Sequence, residues 1–215
     1  MIDLAVNIIT YNGASSFIDE AIKSVKPFIK EILVIDNGSS DGTYGFVKAL
    51  FPDVMVDKMG SYNPYGKAEV LNVLKNATES DWILRVDDDE IFPKETMEEI
   101  MNIDGSVPVY SIPFLHYENG QFINPKAHKK NAFYVARLFK NIPKISWMRK
   151  AEVLAYNGHY VSSRGNQVGL CKRLNNPFLH FGTLRTGRSK NYVFHEVGHC
   201  GIPLGKYEQY LPNKN

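Results

Sequence analysis

The chain has 215 residues, 44% of them hydrophobic and 22% charged, enough apolar chain for one substantial core, which excludes disorder, collagen-like repetition and a disulfide scaffold. The net charge of +2 hides a division: residues 1–125 carry 9 Lys and Arg against 20 Asp and Glu, whereas residues 126–190 carry 14 against one acid, Glu152. Such a split suits either an anionic partner for the second half or neutralisation of one half by the other across an internal interface.

Hydrophobic patterning gives the elements in chain order. Residues 3–10 (DLAVNIIT) read as a buried strand, and residues 15–25 as a helix whose apolar positions are Phe17, Ile18, Ala21, Ile22 and Val25. A second strand follows at 31–36 (EILVID), then a helix over 41–50 with Asp41 as its N-cap, and a third strand at 54–57. Residues 66–79 pattern as another helix, and 81–86 (DWILRV) as a fourth strand. Strands separated by helices of this length form right-handed parallel β-α-β units, which bind ligands beyond the carboxyl ends of their strands. Further on, 109–123 reads as a hairpin turning at Asn119-Gly120, and 132–140 as one more strand, before a helical or loop-rich end from about 186. The expected fold is therefore α/β, a mostly parallel Rossmann-like sheet flanked by helices, with a mixed, antiparallel C-terminal extension. No apolar run reaches the roughly 20 residues of a spanning helix, and Met1-Ile2-Asp3 lacks the basic start of a signal peptide. The two cysteines, Cys171 and Cys200, have no CxxC spacing and read as reduced thiols. A cytoplasmic protein is expected, soluble or peripheral to a membrane.

Chemistry concentrates at strand ends. Strand four ends in Asp87-Asp88-Asp89-Glu90, and carboxylates this close repel unless a hard divalent cation such as Mn²⁺ or Mg²⁺ relieves them. Extended alternation would point Asp87 and Asp89 the same way. An acidic approach to the helix after Pro93 is the plainer alternative. Strand two ends in Asp36-Asn37-Gly38-Ser39-Ser40-Asp41-Gly42-Thr43, where a carboxylate is placed to accept hydrogen bonds from a ribose or base; strand one ends in Thr10-Tyr11-Asn12.

Together TYNGASSFIDEAIKSV (10–25), EILVIDNGSSDGT (31–43) and DWILRVDDDE (81–90) resemble the family 2 glycosyltransferases of the GT-A, nucleotide-diphospho-sugar-binding fold. The resemblance implies a nucleotide pocket at Thr10, Asn12 and Asp36, extended by Lys67, Asp87 and Asp88, with Asp87 and Asp89 as a DXD motif. No repeat and no linker rich in Gly, Ser or Pro divides the chain, so a single domain over 1–215 is expected, with 1–90 the nucleotide-binding half and 91–215 the acceptor-binding half. A fainter resemblance to the branch that builds bacterial lipopolysaccharide core rests on Arg137-Leu138-Phe139, Arg149-Lys150-Ala151-Glu152 and Leu179-His180-Phe181-Gly182. By that analogy Glu152 is the general base, and His180 a third metal ligand or diphosphate contact. The branch usually has an Arg-Asn pair in the helix before the acidic strand. Here that helix reads GKAEVLN (66–72), with Lys67 as the substitute cation.

A competing signal is His195-Glu196-Val197-Gly198-His199, a formal HExxH that suits a zinc metalloprotease when helical. Gly198 weakens such a helix, and only Glu208 follows as a carboxylate ligand, so packing near the donor site is the better reading, with His195 or His199 as alternatives to His180. The function expected is a metal-dependent inverting transferase. It would move a sugar from a nucleoside-diphosphate sugar, UDP-linked, to a hydroxyl of an anionic glycan or lipid-linked saccharide, with Arg185, Arg188 and Lys190 as a lid. Hydroxylated DNA bases are the alternative acceptor, and a non-catalytic nucleotide-sugar or nucleic-acid binding module the alternative role.

Overall fold

Seven consecutive buried residues, Leu4–Thr10, form β1, and a strand buried on both faces needs covering layers on both. The structure is a computed structural model that describes residues 1–15, 17–59, 66–118, 121–123, 134–148, 153–161, 169–182, 201–202 and 209. After β1 come α1 (Ile18–Val25), β2 (Glu31–Asp36), α2 (Thr43–Leu50), β3 (Met55–Lys58), α3 (Lys67–Ala77), β4 (Trp82–Asp87), β5 (Glu90–Ile91) and α4 (Lys94–Met101). Strands follow: β6 (Val109–Glu118), β7 (Gln121–Ile123), β8 (Tyr134–Lys140), β9 (Ile145–Met148), β10 (Val153–Tyr156), β11 (His159–Tyr160), β12 (Cys171–Arg173), β13 (Phe178–His180) and β14 (Gly201–Ile202).

The main sheet runs β14-β7-β6-β8-β4-β1-β2-β3. Strands β3, β2, β1 and β4 are parallel, while β8 is antiparallel to β4 and β6 antiparallel to β8. The expected α/β sheet with an antiparallel extension is what forms. Alternation along the strands distributes the core. Val6, Ile8, Val34, Leu84 and Val86 pack with Ile18, Ala21, Ile22 and Val25 of α1 and Val47 of α2. Ile9, Leu33, Ile35 and Ile83 pack with Ala68, Leu71 and Leu74 of α3. Each such Val, Leu or Ile side chain contributes about 1.5–3 kcal/mol of burial, offset by the entropy of ordering it. Buried Asn7 in β1 is kept satisfied by the Thr78 hydroxyl, 3.1 Å from its Oδ1.

The chain moves outward from β1 to β2 and β3, then returns through α3 to place β4 on the other side of β1. Strand order therefore reverses at β1, and a crevice opens at the carboxyl ends of its neighbours. Register puts Thr10 opposite Asp36, and Ile9 opposite Asp87, at that edge.

Element ends depart from the sequence expectation for local reasons. Helix α1 starts at Ile18 rather than Ser15 because a 3-10 turn, Gly13–Ser15, intervenes. Helix α2 starts at Thr43; Asp41 Oδ1 accepts the Thr43 amide hydrogen at 3.1 Å from outside the helix. The hairpin forms as β6 and β7, pairing Tyr117 with Phe122 and Glu118 with Gln121; its turn at Asn119-Gly120 lies outside the described residues. Among the described residues no helix is long and apolar enough to cross a membrane.

Candidate active site

The end of β1 and the loop after β2 are locked together through Asn12, whose φ of 54° lies in the left-handed region. Its amide donates to Ser39 Oγ at 2.8 Å, and its Oδ1 accepts the Ser40 amide hydrogen at 3.0 Å. Asp36 is fully buried; its Oδ1 accepts the Ser39 amide hydrogen at 2.7 Å. Asp36 Oδ2 and both polar atoms of the Asn37 amide are buried with no hydrogen-bond partner among the described residues. Such groups cost free energy unless something polar meets them, so this end of the crevice is chemically suited to a ligand bearing donors and acceptors.

The acidic run does not act as one cluster. Strand β4 ends at Asp87 and a turn follows, so extended alternation does not carry through to Asp89, and Asp88 and Asp89 reach partners other than those of Asp87 and Glu90. Asp88 Oδ2 accepts the Thr10 hydroxyl hydrogen at 2.7 Å, and the Tyr11 amide lies 3.4 Å away. Asp87 is held between two guanidiniums, Arg85 Nη2 at 2.8 Å and Arg137 Nη2 at 2.6 Å. Burial alone would raise its carboxyl, but the charges of Arg137, Arg85 and Lys67 outweigh that and hold it well below the usual range. Glu90 also pairs with Arg137 and accepts the Asp87 amide hydrogen at 2.9 Å; burial nonetheless raises its carboxyl to about 6. Lys67, partly buried, opens α3.

Asp89, 2% exposed, turns toward β13, where its Oδ1 lies 3.8 Å from Nε2 of His180. The Phe181 amide donates to the Asp89 carbonyl at 2.8 Å and fixes the turn against that strand. An added Cβ on Gly182 would come within 2.8 Å of His180 Nε2 and 3.5 Å of Asp89 Oδ2, so glycine at 182 leaves room beside both. Among the described residues no three His, Cys, Asp or Glu side chains converge into a ready-made metal cage. A carboxylate and an imidazole this close still suit a Mn²⁺ or Mg²⁺ ion that takes its remaining ligands from a substrate's phosphates.

The structure thus brings Thr10 to Asp88, Thr10 to the same register position as Asp36, and Asp89 to His180. Arg85, Arg137, Asn37 and His116 are contacts that the sequence alone did not assign. Arg85 carried a local signal, standing two residues before Asp87 on the same strand face. Arg137 and His116 arrive from β8 and β6 and depend on tertiary register. Glu152, Arg149, Lys150, Arg185, Arg188, Lys190 and the HExxH residues His195, Glu196 and His199 lie outside the described residues. Of the basic segment, Arg137 reaches Asp87 and Glu90, and Lys172 pairs with Asp104. Part of the charge split is therefore neutralised internally.

Comparison with known proteins follows the same lines. The sequence pattern described as Glycosyl transferase family 2 matches residues 5–164. The SPbeta prophage-derived glycosyltransferase SunS of Bacillus subtilis (strain 168) is 32% identical over 109 residues, covering 51% of this chain and 25% of that protein. An uncharacterized glycosyltransferase of Rickettsia felis is 38% identical over 100 residues, 46% of this chain and 33% of that one. The chain thus spans a quarter to a third of the length of these relatives. Among solved structures, S. aureus TarS 1-349 superposes with a TM-score of 0.61 at 17% identity, covering 84% of this chain and 60% of that one. The same protein in complex with UDP gives 0.55 at 20% identity, over 70% of this chain and 52% of that one. The fold is shared.

Proposed function

The chain belongs to glycosyl transferase family 2, and from that premise we propose that it moves a sugar from a UDP-linked donor to a hydroxyl of an anionic acceptor, with inversion at the anomeric carbon. One observation carries the reading. Among the described residues the buried Asp36 carboxylate and Asn37 amide retain unused hydrogen-bonding capacity beside the strand-order reversal, where a base and ribose would supply matching groups. TarS has been solved with UDP and with UDP-GlcNAc, which supports a uridine nucleotide as the ligand.

Asp87 is compensated by two guanidiniums and stays ionised without a cation, so the ion's protein ligands are assigned to Asp89 and His180. When bound, a Mn²⁺ or Mg²⁺ ion supplies charge neutralisation for the departing diphosphate. Lys67 adds a positive charge at the N-terminus of α3, the end of a helix that favours anions. The Thr10–Asp88 hydrogen bond is assigned to the floor of the donor site, so the donor would meet preorganised groups rather than ones that must be ordered on binding. Glu152 is assigned as the base that takes the acceptor's hydroxyl proton as the oxygen attacks the anomeric carbon. It is the single acid of the basic stretch 126–190. The same basic segment is the reason to expect an anionic glycan or lipid-linked saccharide as acceptor.

The test is ligand-dependent stabilisation followed by turnover. UDP and UDP-sugars with Mn²⁺ are expected to raise the melting temperature more than either alone, and released UDP should appear with an acceptor present. Glu152→Gln is expected to abolish transfer while leaving donor affinity nearly intact; retained turnover removes Glu152 from the mechanism. A nucleotide that binds without donor consumption across a panel of anionic saccharides would make the chain a binding module.

A further inference from the structure

Two histidines from distant strands meet beside the acidic turn. Strand β13 lies between β5 and β6, and its register sets His180 opposite Glu90 on one side and His116 on the other. Period-two alternation then sorts the side chains. Leu115, Tyr117, Leu179 and Phe181 join one apolar cluster with Phe17, Ile91 and Phe122, which leaves Phe114, His116, Phe178 and His180 for the opposite face. There Phe114 stacks on Phe178 at 5.6 Å and meets His180 edge-on at 5.8 Å. The imidazoles of His116 and His180 lie 4.9 Å apart between ring centres, and their Nδ1 atoms are 2.8 Å apart.

We propose that His116 is a positioning residue, which accepts the Nδ1–H of His180 and thereby holds the Nε2 lone pair of His180 toward Asp89 and the space left by Gly182. The inference rests on the reading that Asp89 and His180 hold the divalent cation. A hydrogen bond between two Nδ1 atoms allows one donor and one acceptor. A neutral His180 that donates from Nδ1 carries its lone pair on Nε2, the atom that faces Asp89 at 3.8 Å. A neutral His180 that accepts at Nδ1 carries a proton on Nε2 and is no ligand. Ligating histidines commonly give their second N–H to a carboxylate or a backbone carbonyl; here a second imidazole fills that place. His116 is only 7% exposed, so its ring is fixed by packing and its acceptor atom does not wander. The edge-on contact with Phe114 limits the alternative ring positions of His180.

The experiment measures Mn²⁺ affinity in the presence of UDP by electron paramagnetic resonance, for the natural chain and for His116→Asn, His116→Phe and His180→Ala. Asparagine places an amide oxygen near the position of Nδ1, while phenylalanine fills the volume without an acceptor. Expected is a loss of about 10–100-fold in Mn²⁺ affinity for H116F, near-natural affinity for H116N, and unchanged UDP affinity without metal in both. H116F binding Mn²⁺ as the natural chain does, while H180A loses it, overturns the role of His116 and leaves the cation site standing. H180A binding Mn²⁺ normally, or a natural chain that binds none with UDP, overturns the cation site and His116 with it. Should the variants not fold, ¹⁵N-histidine spectra of the natural chain with Mg²⁺ and UDP decide. Expected is His180 protonated on Nδ1 and not on Nε2; the opposite tautomer overturns the proposal.

Discussion

Thr10 donates its hydroxyl hydrogen to Asp88 Oδ2 at 2.7 Å, with both side chains buried, so the carboxyl end of β1 is tied to the turn that carries the acids. Gly13 makes that contact possible. A Cβ at 13 would lie 2.1 Å from Thr10 Oγ1 and 3.1 Å from Asp88 Oδ2, closer than any real contact at the first atom. Gly13→Ala is expected to break the bond, to cost about 1–3 kcal/mol through the loss of a hydrogen bond to a buried carboxylate, and to weaken UDP binding. Urea unfolding and calorimetric titration read the two effects; a variant equal to the natural chain in both contradicts the structural role given to this bond.

Asp36 is expected to matter for nucleotide affinity more than for folding. Its Oδ1 holds the Ser39 amide, worth about 1 kcal/mol, while its Oδ2 remains for a ligand. Asp36→Ala should lower UDP affinity by about 10–100-fold, the value of one hydrogen bond to a carboxylate. Asp53→Asn, at an exposed ion pair with Lys26, serves as the control and should change neither property measurably.

Arg137 joins β8 to two acids of the β4–β5 turn, with 9% of its side chain exposed against 2% for Glu90. Removing the cation strands a buried carboxylate, so Arg137→Met is expected to destabilise by about 3–5 kcal/mol. Adding Glu90→Gln should recover part of that loss, because the two residues share one network. Strictly additive effects in a double-mutant cycle would contradict the coupling.

A pH signature is expected from α1, away from the site. Burial, followed by a hydrogen bond with Asp19, raises the Glu20 carboxyl from 4.5 to about 7. The folded state then holds a proton that the unfolded chain releases, so this contribution to stability is complete below about pH 4.5 and is lost as pH rises through about 7. Asp19, held lower by Glu20 and Lys23 although burial opposes it, acts in the opposite sense and only at more acid pH. Glu20→Gln should flatten the fall in urea midpoint between pH 4.5 and 7; an unchanged slope refutes the assignment.

Much of the fold was legible because a parallel strand covered on both faces leaves a continuous apolar run, as in Leu4–Thr10 and Glu31–Asp36. Strand ends were legible for the same reason, since polarity resumes where burial stops. What escaped were features set by other parts of the chain. The run Asp87–Glu90 looked like one anionic cluster, yet the strand ends after its first member and a turn divides it: Asp88 goes to Thr10, Asp89 to His180, and Asp87 and Glu90 share Arg137. The arginine that neutralises two of these acids is about fifty residues away in sequence, brought in by the pairing of β8 with β4. The contact between His116 and His180 depends on the register of β13 against β6, which no local period encodes.

The most direct measurement is a crystal structure with UDP and manganese, using anomalous scattering at the manganese edge. Expected is a peak within about 2.5 Å of an Asp89 carboxylate oxygen and of His180 Nε2, with the uridine against Asp36 and Asn37. A nucleotide bound elsewhere, or manganese bridging to the diphosphate with Asp89 and His180 uninvolved, would contradict the assigned site.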